Sequence, residues 1–129
     1  MLDTNIVIYT MKSKPTSVRE AFSQNDGRMC ISSITLMELV YGAEHSSNPD
    51  HNLRAVEGFA ARLEVLPLDS AAAYHAGQIR TDLACAGLTI GPYDQLIAGH
   101  ARSLGLVLVT NNMSEFARVK GLRLENWVA

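Results

Sequence analysis

Cysteine is scarce: Cys30 and Cys85 are the two in 129 residues, and they form no Cys-x-x-Cys pair. That argues against a thiol-ligated zinc site and fits a reduced, cytoplasmic protein. Long apolar runs are missing too, so no segment is expected to span a bilayer. The first residues lack the basic flank and extended apolar block of a secretory signal. No excess of basic residues is present; the formal net charge is -2, which argues against indiscriminate nucleic-acid binding. An RNA substrate stays open, because clustered acids that gather divalent cations lower the formal charge while the bound ion reverses the local sign. Repeats, linkers and low-complexity blocks are also absent.

What remains is an ordinary globular composition, 47% hydrophobic and 19% charged, enough for one domain over residues 1–129 with a real core. Short apolar runs alternate with longer helical stretches. The alternation predicts an α/β domain, three layers with a central, mostly parallel sheet. Strands are expected at Met1–Asp3, Arg28–Ile31, Leu63–Leu66 and Leu106–Thr110, with an edge strand near Leu122–Leu124. Helices are expected over Pro15–Gln24, Ser33–Glu44, Pro49–Arg62, Asp69–Cys85 and Pro92–Ser103. Asp69 supplies a cap, Pro15 and Pro92 suit first turns, and Gly105 marks a stop.

Four acidic or amide-bearing stretches stand out. Asp3 closes the first strand, where a carboxylate is costly unless something cationic meets it. Its bland alternative is a cap on a following helix, a role open to Asn5 as well. Glu38 lies on a helix apolar around most of its circumference, with no Lys or Arg three or four residues away and Gly42 one turn on. Thr35-x-x-Glu38 also fits a capping box, which would give Glu38 a purely local role. Asp94 falls in the first turn of its helix, where an acid complements the helix dipole. Asn112 and Glu115 follow the strongest expected strand, again in a capping-box spacing. Each local role could be met anywhere, yet all four regions map to the carboxyl edge of one sheet, the usual ligand edge of open parallel folds. Carboxylates gathered there need a cation, and magnesium prefers oxygen ligands and retained waters. The histidines show no metal-type spacing and read as surface or core residues. Tyr9, Tyr41 and Tyr93 read as core or rim.

Together, Met-Leu-Asp-Thr-Asn at the start, Ser-x-x-Thr-x-x-Glu-Leu-x-x-Gly over Ser32–Gly42, the Asp94 helix and Thr-Asn-Asn-x-x-Glu-Phe from Thr110 resemble a PIN domain. Within that family the chain is most similar to VapC-type toxins of toxin–antitoxin pairs. The resemblance spans essentially the full length and implies an endoribonuclease dependent on magnesium or manganese, with Asp3, Glu38 and Asp94 as the metal-binding acids. Asn112 stands where the family usually has a fourth acid, with Glu115 nearby to compensate. Members as a rule carry a few more residues before the first aspartate, which makes Met1 a candidate for a shortened start and weakens the expected first strand. The resemblance further implies homodimers, a VapB-type antitoxin in higher assemblies, no membrane association, and structured RNA as substrate. For one group of members that substrate is the anticodon region of initiator tRNA. Two rivals stay open at this point. One is a haloacid-dehalogenase-like phosphatase with Asp3 as nucleophile, although Asn5 stands where that chemistry expects a second acid. The other is a non-catalytic RNA- or protein-binding module.

Overall fold

The computed structural model describes all residues, Met1–Ala129. Eleven elements follow in order: α1 (Thr4–Met11), α2 (Thr16–Gln24), β1 (Cys30–Ser32), α3 (Ser33–Glu44), α4 (Pro49–Ala60), β2 (Glu64–Leu66), α5 (Ser70–Ala86), α6 (Pro92–Ser103), β3 (Val107–Val109), α7 (Met113–Phe116) and β4 (Arg123–Glu125). β1 pairs with β2 and β3 with β4, both parallel. Met1–Asp3 runs between the two pairs. Leu2 donates to the Cys30 carbonyl at 2.9 Å, Asp3 to the Val109 carbonyl at 2.9 Å, and Val109 to the Met1 carbonyl at 2.8 Å. The order is therefore β2–β1–(Met1–Asp3)–β3–β4, the parallel arrangement expected from the sequence.

Side chains alternate across this array, as a pleated backbone demands. Leu2, Ile31 and Val109 face one core, shared with Ile6, Val18 and Phe59 from the helices α1, α2 and α4. Met1 and Leu108 face a second core with Ile79, Ile97 and Phe116 from α5, α6 and α7. Helices thus cover both faces of the sheet. No helix is long and apolar enough to cross a membrane.

Two expectations need correction. Met1–Asp3 is not a full strand: Leu2 forms a single bridge to Val109. The chain turns helical at once, and α1 lies where no helix was assigned. Ile6, Val7 and Ile8 are β-branched and mimic a strand's continuation, but Ile6 and Val7 are fully buried as helix residues packed on the sheet. Tertiary burial overrode local preference. The Gly99 position shows how closely the second layer packs: a Cβ there would stand 2.6 Å from the Ala76 backbone nitrogen, so α6 meets α5 backbone to backbone.

Candidate active site

Asp3 ends the central segment of the sheet and caps α1, its side chain accepting from the Thr4 amide at 2.8 Å. Its second oxygen accepts from the Thr110 hydroxyl at 2.9 Å. Thr110 in turn accepts from the Asn112 amide at 2.9 Å, so one threonine fixes both the carboxylate and the turn after β3. The capping role of Asp3 is thus real, and it leaves the carboxylate at the sheet's carboxyl edge. Asp3 is only 3% exposed, and burial raises its pKa; the Glu38 charge pushes in the same direction. The hydrogen bonds from Thr110 and Thr4 partly offset this.

The capping-box reading of Glu38 is wrong. The N-cap of α3 is Ser32, whose side chain accepts from the Ile34 amide. Thr35 is fully buried and turned inward, its hydroxyl 3.1 Å from that of Thr4. Thr4 also lies 2.8 Å from a Glu38 carboxylate oxygen. A hydroxyl has one proton, so Thr4 donates to the carboxylate and accepts from Thr35. The residues that orient Glu38 therefore come from the Asp3 helix start and from its own first turn.

Asp94 is half-buried in the first turn of α6, whose N-cap Gly91 provides no side chain. A Cβ at Gly91 would stand 3.4 Å from the carboxylate, in ordinary contact with it. Burial lifts the Asp94 pKa to about 6, and the charges of Asp3, Glu38 and Glu115 all add to the rise. Four acids from distant parts of the chain therefore share one field. Asn112 joins through Glu115, donating from its side-chain amide to that carboxylate at 2.8 Å. Asn112 is the N-cap of α7 but makes no side-chain cap, so the capping-box reading fails here as well.

No cationic side chain enters the cluster: the hydrogen-bond partners of Asp3 and Glu38 are threonine hydroxyls and a backbone amide. Every charge acting on Asp94 is negative. An all-oxygen donor set with unbalanced negative charge suits a hard divalent cation. The acids do not close into a three-ligand cage, since no three His, Cys, Asp or Glu side chains stand near enough to hold an ion together. An ion shared by these acids would have to be held partly through water.

A groove of about 600 Å³ opens beside Glu38 between α1, α3 and α4, with Lys12, Gly42 and His51 among its walls. A larger groove of about 1030 Å³ lies at the far end of α6, around Tyr74, Arg102 and Lys120. It shares no residue with the acid cluster. Ser32, Thr35 and His100 are buried in this neighbourhood; the sequence marked Ser32 and Thr35 as positions of the family-like motif, Thr35 also as a cap, and His100 read as a surface or core histidine.

A PIN domain family model matches residues 1–122. The chain belongs to the PIN domain family. It is 63% identical over 127 residues to the tRNA(fMet)-specific endonuclease VapC of Shigella flexneri, covering 98% of this chain and 96% of that protein. It is 52% identical to ribonuclease VapC2 of Haemophilus influenzae, over 99% of this chain and 97% of the relative. The crystal structure of DNA-bound VapBC from Salmonella typhimurium superposes with a TM-score of 0.95 at 62% identity, covering 99% of this chain and 97% of the other. These likenesses place the chain among VapC-type PIN domains and remove the dehalogenase-like phosphatase. The geometry agrees, for the residue two places after Asp3 is Asn5, an exposed amide and not a second acid.

Proposed function

We propose that this PIN domain is a metal-dependent endoribonuclease, the toxin of a toxin–antitoxin pair, and that it hydrolyses a phosphodiester bond in initiator tRNA. The observation that carries the reading is the meeting of Asp3, Glu38, Asp94 and Glu115 in one uncompensated negative field. The likeness to a tRNA(fMet)-specific endonuclease supports the substrate.

Asp3, Glu38 and Asp94 are the residues that would hold the ion, magnesium or manganese, directly or through water. When bound, such an ion lowers the pKa of water and neutralises charge growing on a phosphate. Thr110 and Thr4 keep the Asp3 and Glu38 carboxylates in fixed orientation, so little reorganisation is needed on binding. Asn112 brings no charge where the family usually has one; it holds Glu115, which supplies the fourth negative charge.

The same proposal includes a VapB-type antitoxin and a homodimer working in the cytoplasm, within a larger assembly. The solved VapBC complex supports the antitoxin. Met37, Val40 and Tyr41 leave an exposed apolar stripe on α3 that suits burial in an assembly.

The test is cleavage of purified initiator tRNA by the purified chain, with magnesium and with chelator, and with the cut mapped. A discrete product that vanishes with chelator and in Asp3→Ala is expected. Tight tRNA binding with no metal-dependent product would instead favour the non-catalytic module.

A further inference from the structure

His100 is 1% exposed, and its Nδ1 lies 2.8 Å from the Ser32 hydroxyl. Ser32 is also the N-cap of α3, accepting from the Ile34 amide at 3.1 Å. His100 belongs to α6, the helix that carries Asp94; Ser32 starts α3, the helix that carries Glu38. We propose that His100 is a positioning residue for the acid cluster, fixing the Asp94 helix against the Glu38 helix through the hydroxyl of Ser32. The inference rests on the reading of that cluster as a divalent-metal centre.

The hydrogen-bond roles follow from the inventory. Ser32 accepts from the Ile34 amide, which leaves its own proton for His100 Nδ1. The imidazole is then neutral with its proton on Nε2, in keeping with the lowering of its pKa by burial. In the row Ile34 amide, Ser32 hydroxyl, His100 imidazole, the hydroxyl accepts at one end and donates at the other. α6 is held at three further points, one of them Arg102, whose guanidinium donates to His75 Nδ1 of α5 at 2.9 Å. Gly99, the neighbour of His100, lies against the Ala76 backbone, and Gln95 donates to the Ile90 carbonyl at 3.1 Å. The Gly99 contact sets the depth of α6, and Gln95 ties its start to the preceding loop. Within this set, the bond to Ser32 alone refers α6 to the start of α3. A histidine that merely filled the core would need no partner on the cap of the other acid-bearing helix.

Binding of Mn²⁺ alone, followed by the paramagnetic resonance of the free ion with no RNA present, tests this. His100→Leu keeps the bulk and loses the acceptor; His100→Asn keeps a polar atom at the Nδ1 position. His100→Leu is expected to unfold cooperatively yet bind Mn²⁺ about 10-fold more weakly, the scale of losing an outer partner of a metal site. His100→Asn is expected to recover affinity to within about 3-fold of the parent. Parental affinity in a folded His100→Leu variant, or equal loss in Leu and Asn, overturns the inference. Should His100→Leu fail to fold, Ser32→Ala and Ser32→Ala/His100→Asn decide. The double variant is expected to bind no more weakly than Ser32→Ala alone, and additive losses overturn the inference. Asp3→Ala is the control for the centre itself. If it binds Mn²⁺ as the parent does, the metal-centre reading fails and takes this inference with it. If it loses Mn²⁺ while His100→Leu does not, this inference fails alone.

Discussion

The Thr110 hydroxyl donates to the Asp3 carboxylate at 2.9 Å, both residues buried, across 107 positions of sequence. This contact joins the first segment of the sheet to the turn after β3, because the same oxygen accepts from the Asn112 amide. Thr110→Val keeps the shape and deletes both bonds. We expect about 1–3 kcal/mol of lost stability, since the Asn112 amide is left without its acceptor. Cleavage should fall about 10- to 100-fold through a looser metal site. Denaturant unfolding and the RNA assay check the two effects separately.

Asp3 carries its charge at a cost to the fold, because burial raises its pKa. The ionised form is therefore less favoured in the folded chain than in the unfolded one. Asp3→Asn retains an acceptor for the Thr4 amide and removes the charge. The metal-free variant is expected to melt at or above the parent temperature while losing cleavage by more than about 100-fold, beyond what an outer partner costs. A lower melting temperature would show that the charge stabilises the fold.

Asp94 gives a pH dependence of defined sign. Its folded pKa of about 6 lies above the ordinary value of 3.8, so between these values the folded chain binds more protons than the unfolded one. The Asp94 contribution therefore makes the metal-free protein more stable as pH falls from neutrality through about 6, and the gain is complete below 3.8. Subtracting the pH–stability curve of Asp94→Asn isolates it. Metal binding should run the opposite way, weakening as pH falls, because the proton competes with the cation for the Asp94 carboxylate.

The sequence exposed the parallel α/β order and the full extent of α3 and α6, the latter because Pro92 and Gly105 punctuate it. It also marked the acids, since Asp3, Glu38, Asp94 and Glu115 stand out as charges in or beside apolar runs. It could not show α1, where three β-branched residues in a row look like a strand until burial is known. Nor could it show the orienting groups. Thr35 sits in a motif with two equally good local meanings, and only the approach of Thr4 turns its hydroxyl inward. His100 has no spacing signal because its partner, Ser32, is 68 positions away.

The close approach of α5 and α6 makes Gly99 intolerant of a side chain. Gly99→Ala would set a Cβ 2.6 Å from the Ala76 nitrogen and 2.8 Å from its Cα. Backbone atoms cannot swing aside as a flexible side chain can, so we expect about 1–3 kcal/mol of destabilisation despite alanine's better helix propensity. Chemical denaturation measures it; an unchanged midpoint would mean that the helices separate freely.

The central claim is that Asp3, Glu38 and Asp94 form one divalent-metal centre. Anomalous diffraction from crystals soaked in manganese addresses it most directly. The account predicts a peak at the carboxyl edge of the sheet, about 2.2 Å from carboxylate oxygens of this set or one water removed. A well-ordered soaked crystal with no peak there, or with manganese bound only elsewhere on the chain, would contradict it.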